Sequence, residues 1–162
     1  MIQYMITAKD DIELLMQSRL EMLRVVNQLP SDYKFDSEFI ELSRQYFNSA
    51  DQTTVLAIDK DVVGCASLCY IDVMPTFSHP TGKRAHLMNV YTRKQYRRQG
   101  IASEMLNILI EEAGKKGVTE ISLDATESGR PLYKKHGFVD SEECMVLNLC
   151  DGEKYVFNFS IL

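Results

Sequence analysis

The residues best placed to do chemistry stand together at Arg97-Arg98-Gln99-Gly100-Ile101-Ala102. A strand pattern runs into this string and a helical pattern runs out of it. The first turn of a helix leaves main-chain N–H groups without intrahelical partners and carries the positive end of the helix dipole. Gly100 and Ala102 keep that backbone bare, so an anion can come close to the N–H groups. The string therefore reads as a phosphate cradle. It lacks the G-x-G-x-x-G of a dinucleotide site and the G-x-x-x-x-G-K-[ST] of a nucleoside triphosphate loop. Charge points the same way. Residues 83–98 hold 6 basic side chains (Lys83, Arg84, Arg93, Lys94, Arg97, Arg98) and no acidic one, while the rest of the chain holds 12 basic and 23 acidic. A compact positive island on an acidic body focuses its field on an anionic partner. The alternative is a solvated basic loop.

The elements that must position this string follow from apolar spacing. Residues 2–6 predict a short strand, with Thr7 and Asp10 as a helix-capping pair. Ile12, Leu15, Met16, Leu20, Leu23 and Val26 fall at steps of three and four and predict a helix over about 10–27, ended by Pro30. A second helix starting near Asp36 or Ser37 is expected to bury Phe39, Ile40, Leu42, Tyr46 and Phe47. Residues 53–58 and 62–70 predict two strands joined by the turn Asp59-Lys60-Asp61. Pro75, Pro80 and Gly82 mark a loop, and a strand follows over Ala85–Tyr91. The helix after Gly100 runs to about Lys115 and buries Met105, Leu106, Leu109 and Ala113. Residues 118–125 predict a strand and 130–136 a short helix. Residues 144–149 and 155–159 predict two closing strands about the turn dipeptide Asp151-Gly152. This order gives an α/β (α+β) domain with a mixed, mostly antiparallel central sheet flanked by helices.

Composition bounds what such a domain can be. A chain of 162 residues with 45% apolar and 25% charged residues fits one folded domain over 1–162. A net charge of −5 argues against a nucleic-acid partner, which needs a broad basic face. No apolar run is long enough for a membrane span, and the first residues do not form a secretory signal. Cys65, Cys69, Cys144 and Cys150 show neither a C-x-x-C pair nor a zinc spacing. Free thiols in a reducing compartment, no metal, and a cytoplasmic location are the expectations.

Three segments together carry a family resemblance. Arg97-x-x-Gly100-x-Ala102 matches the Q/R-x-x-G-x-G/A signature of the GNAT superfamily of N-acetyltransferases, with alanine in its last position. Leu87-Met88-Asn89-Val90-Tyr91-Thr92 resembles the family's splayed strand. Pro131-Leu132-Tyr133-Lys134-Lys135-His136-Gly137-Phe138 resembles its L-Y-x-x-x-G-F ending. The resemblance is strongest over about 85–149, and residues 151–162 look like an addition, an extra strand. That strand either adds an edge to the sheet or completes a homodimer.

The resemblance implies acetyl-CoA as co-substrate and a small-molecule or peptide amine as acceptor. It implies that Arg97, Arg98, Gln99, Gly100, Ile101, Ala102 and Ser103 hold the diphosphate of coenzyme A. It implies that Val90, Tyr91 and Thr92 of the splayed strand bind the pantetheine arm through main-chain groups, which a closed strand pair would not leave free. Tyr133 is then the acid that protonates the departing thiolate. His86, near the position where some members place a glutamate, is the candidate base, with Asp72, His79 and Asp124 as lesser ones. The usual asparagine after the following strand is absent, and Thr126 and Ser128 offer hydroxyls there instead. Glu21, Arg24, Asp32, Tyr33, Lys34, Phe35 and Glu38 stand where the family builds its acceptor pocket. The expected activity is acetyl transfer to a primary amine by direct attack on the thioester. A non-catalytic acyl-CoA-binding regulatory module on the same fold is the alternative.

Overall fold

A computed structural model describes residues 1–149. Five strands form one sheet in sequential order: β1 (Gln3–Ile6), β2 (Gln52–Asp59), β3 (Asp61–Asp72), β4 (Lys83–Thr92) and β5 (Glu120–Leu123). Neighbours from β1 to β4 pair antiparallel, and β4 and β5 pair parallel. A parallel neighbour requires a crossover, and helix α3 (Ile101–Lys115) supplies it. Helices α1 (Ile12–Val26) and α2 (Ser37–Ser49) precede β2, and α4 (Arg130–Lys135) follows β5.

Period-two alternation splits the core into two layers. Val55 and Ala57 of β2, Ala66 and Leu68 of β3, and Ala85 and Leu87 of β4 meet Ile101, Met105, Leu106 and Leu109 of α3. Leu56, Cys65 and Tyr91 face the other way, onto Leu15, Met22 and Leu23 of α1 and onto Phe35. Each large aliphatic side chain so enclosed is worth roughly 1.5–3 kcal/mol. Gly64 lets β3, β4 and α3 close up. A Cβ there would stand 2.9 Å from the Tyr91 carbonyl oxygen and 3.3 Å from Met105 Cε.

Several expectations need correction. The turn before α1 is closed by Asp11, whose carboxylate accepts from the Ala8 N–H at 2.7 Å, and not by Thr7 and Asp10. Asp36 caps α2 as expected, accepting from Glu38 N–H and Phe39 N–H. Yet Leu42 is 59% exposed and Tyr46 38%, because only one side of α2 meets α1. Residues 144–149 are assigned no strand. The second closing strand over 155–159 and the dimer idea attached to it lie outside the described residues.

Candidate active site

Strand β4 is where the sheet opens. It pairs with β5 from Arg84–Glu120 to Leu87–Leu123, and runs on to Thr92 with no further partner on that side among the described residues. Its ladder with β3 slips between Cys65 and Ser67, opposite a bulge in β4. Asn89 sits at the bulge with φ of 59°, in the left-handed region that asparagine tolerates better than most residues. Three side chains hold it there. Arg19 Nη1 donates to Asn89 Oδ1 at 3.1 Å, the Cys65 thiol donates to the Asn89 main-chain oxygen at 3.2 Å, and Asn89 Nδ2 donates to Ser67 Oγ at 3.4 Å. A conformation fixed from three sides is over-determined, as functional backbone geometry usually is. The pairing with β5 thus ends two residues before a bulge that the strand pattern did not announce.

Beyond the bulge, Val90 packs toward the α3 layer. Tyr91 is buried on the α1 side and its hydroxyl donates to Glu21 Oε1 at 3.2 Å. Its side chain therefore has a structural task, and its main chain stands in register with Cys65 of β3. Burial, with Glu21 beside it, pushes the Tyr91 hydroxyl up to about 12. Thr92 Oγ1 is fully enclosed without a hydrogen-bond partner among the described residues.

The chain then enters the proposed cradle. Arg97 folds back, its Nε donating to the Thr92 carbonyl at 3.0 Å. Arg98 and Gly100 both adopt positive φ, 63° and 82°. Left-handed residues of this kind turn successive N–H groups toward one concavity. Gln99 Nε2 donates to the Gln95 carbonyl at 3.1 Å, which ties down the approach to the helix. Gly100 is the residue before α3, and a Cβ built on it would meet nothing within 4 Å. The space in front of the first turn is open, as a bound diphosphate requires. Ile101 is buried and anchors the helix, while Ala102 packs at the edge of the core. Ser103 Oγ lies 2.7 Å from His136 Nε2, a link between α3 and the end of α4 that the sequence reading did not foresee.

The basic island is not one patch. Lys83 and Arg84 begin β4 and Arg93 follows its end, roughly 30 Å away at ordinary strand rise. Arg84 pairs with Glu120, and Arg93 is held by Glu21 and Asp61. Lys94, Arg97 and Arg98 are exposed and make no ion pair among the described residues.

Tyr133 lies on α4, half-buried, with its ring edge-on to Phe138 at 5.9 Å. Burial raises its pKa, so the phenol stays protonated through the neutral range. Its hydroxyl makes no hydrogen bond among the described residues. Tyr133, Val90 and Ala102 all pack on the α3 layer, so the structure brings the proposed acid, strand and cradle to one side. Thr126 is occupied differently: its Oγ1 accepts from Gly129 N–H at 3.2 Å and closes the turn before α4.

His86 stands on the opposite, α1-facing side of β4, directly across from Cys69 and Ser122. Its Nδ1 lies 2.9 Å from Ser122 Oγ and its Nε2 3.5 Å from Asp124 Oδ2. His79 instead contacts Thr119 and Glu120 at the far end of the sheet. The expected acceptor-pocket residues are largely engaged. Glu21 binds Arg93, while Arg24 lies over the Phe35 ring at 5.0 Å and donates to the Tyr33 carbonyl. Cys65 is pushed up to about 12 by burial, so it is a neutral thiol and no nucleophile. No His, Cys, Asp or Glu cluster among the described residues could hold a metal.

A sequence profile described as the Acetyltransferase (GNAT) family matches residues 19–138. A crystal structure of a predicted acetyltransferase with acetyl-CoA from Clostridium acetobutylicum superposes with a TM-score of 0.79 at 30% identity, over 92% of this chain and 97% of that one. A Trypanosoma brucei acetyltransferase gives 0.69 at 24% identity, over 92% and 100%. Glucosamine-6-phosphate N-acetyltransferase from Arabidopsis thaliana gives 0.68 at 14%, over 93% and 99%, and so shares the fold. Among curated proteins, none matches the sequence. The opened sheet with a bare helix start beside it defines an acyl-CoA-binding α/β domain, and the chain belongs to the GNAT family of acetyltransferases. Acetyl-CoA is the acyl donor of that family.

Proposed function

We propose that the protein transfers the acetyl group of acetyl-CoA to a primary amine of a small molecule or peptide. The observation that carries this reading is the stretch of β4 past Leu87 that has no partner on the β5 side among the described residues, followed by the bare first turn of α3. Acetyl-CoA supplies the acyl group as an activated thioester. The N–H groups from Arg98 to Ser103 hold its diphosphate, and the β5-side edge of the stretch Val90, Tyr91 and Thr92 holds the arm.

The two faces of β4 divide the proton traffic. On the α1 side, His86 with Asp124 accepts the proton that the attacking amine loses. Four strand residues, roughly 13 Å, separate His86 from Val90, so that proton passes through water. The Val90 N–H meets the charge that develops on the thioester oxygen as the C–N bond forms. On the α3 side, Tyr133 gives its proton to the sulfur as the C–S bond breaks. One proton is taken and one given, and neither a metal nor a nucleophilic side chain takes part.

Tyr133→Phe tests the assignment. Turnover, read as thiol release, should fall by about 10²–10⁴-fold, the usual worth of a positioned acid, with acetyl-CoA affinity unchanged. An unchanged rate would remove Tyr133 from the reaction. Absence of turnover by the unaltered protein with any amine, with binding intact, would favour the regulatory module.

A further inference from the structure

Helix α1 carries a cation that no carboxylate among the described residues neutralises. Arg19 lies on the stripe that includes Leu15 and Leu23, four residues to either side, and so points at the sheet and not at solvent. Its one hydrogen bond among the described residues goes to Asn89 Oδ1, a neutral amide oxygen. It forms no ion pair there, whereas Arg44, Arg84, Arg93 and Arg130 all do. The side chains whose field it feels most, Cys65 and Cys69, are thiols that burial keeps protonated. Glu21, on the same helix, is already held by Arg93 through two bonds. Burial lowers the pKa of Arg19. A desolvated guanidinium without an anion is costly, and its planar fork suits a carboxylate.

This cation sits beside the stretch of β4 where the acyl donor is proposed to lie. Thr92 Oγ1 is the one fully enclosed side-chain polar atom without a partner among the described residues, so the unbonded nitrogens of Arg19 keep access. The residue that Arg19 touches, Asn89, is the bulge immediately before Val90. Resting on the acetyl-transfer reading, we infer that Arg19 binds a carboxylate of the acceptor. The acceptor is then a compact amine with its carboxylate a few bonds from the nitrogen, as in an amino acid. The guanidinium fixes the acid end while the amine nitrogen points past Asn89 toward the thioester.

The test compares free amino acids with their own carboxamides as acceptors, by thiol release at equal ionic strength, in the unaltered protein and in Arg19→Gln. The expected result is a preference for the carboxylate form of ~10- to 100-fold in kcat/KM, the worth of a charge-assisted hydrogen bond or two, mostly through KM. In Arg19→Gln that preference should vanish, and Arg19→Lys should restore part of it, with acetyl-CoA affinity by calorimetry equal in all three. Should Arg19 merely brace the Asn89 bulge, Arg19→Gln would slow both substrate forms alike and leave their ratio unchanged, which overturns the inference. Equal or better turnover of the carboxamides by the unaltered protein overturns it too, while leaving acetyl transfer standing. No turnover of either form, with acetyl-CoA bound, removes the transfer reading and the inference with it.

Discussion

The Arg93 guanidinium holds the Glu21 carboxylate through two hydrogen bonds of 2.7 Å each, from Nε and Nη2. This fork ties α1 to the end of β4, one residue past the strand that is expected to carry the acyl donor. The guanidinium hydrogen bonds keep the Glu21 carboxyl below its usual value of 4.5. A carboxyl whose folded pKa is depressed stabilises the fold above its unfolded pKa and loses that effect as pH falls through the folded value. Glu21→Gln is therefore expected to lower Tm at neutral pH, and the difference from the unaltered protein should close as pH drops below about 4.5. Thermal melts across pH 3–7 would show it, and a gap that persists at the acid end would contradict it.

Gly64→Ala would bring a Cβ to 2.9 Å from a ladder carbonyl that cannot move without parting β3 from β4. Methionine 105, at 3.3 Å, can give way; the Tyr91 carbonyl cannot. The expected cost is about 1–3 kcal/mol, seen as a fall of several degrees in Tm. Acetyl-CoA affinity should weaken as well, because a shift of Tyr91 moves its neighbours Val90 and Thr92, which are proposed to line the arm. A variant with unchanged melting would show that the close approach is not needed.

His86→Gln keeps a polar group against Ser122 but removes the proton acceptor. The expected outcome is a fall in kcat of about 10²-fold at neutral pH with no change in acetyl-CoA affinity. An unchanged kcat would exclude His86 as the base.

Much of this site could be read from the chain because its parts are local. Gly100 before an apolar stripe, and Tyr133 five residues before Phe138, each announce their element within a few positions. What escaped depends on contacts across the sheet. The bulge at Asn89 is held by Arg19, Cys65 and Ser67, which lie 70, 24 and 22 residues away. Asparagine inside a strand was the available signal, since few other residues accept positive φ. Arg19 was visible as a cation on an apolar stripe, yet nothing local says that it lacks a partner. The basic run from Lys83 to Arg98 misled for the same reason: adjacency along a strand is distance in space, and Glu21 and Glu120 neutralise two of its members.

The central claim is that the N–H groups opening α3 hold the diphosphate of acetyl-CoA. Calorimetric titration of the unaltered protein and of Gly100→Val with acetyl-CoA tests it most directly. The fold should survive the substitution, since a Cβ at this position meets no atom within 4 Å, although the left-handed φ would cost about 1–2 kcal/mol. The account predicts saturable binding by the unaltered protein and an affinity at least ~10-fold weaker in the variant, the worth of one charge-assisted hydrogen bond. No heat of binding in the unaltered protein, or equal affinities in the two, would contradict it.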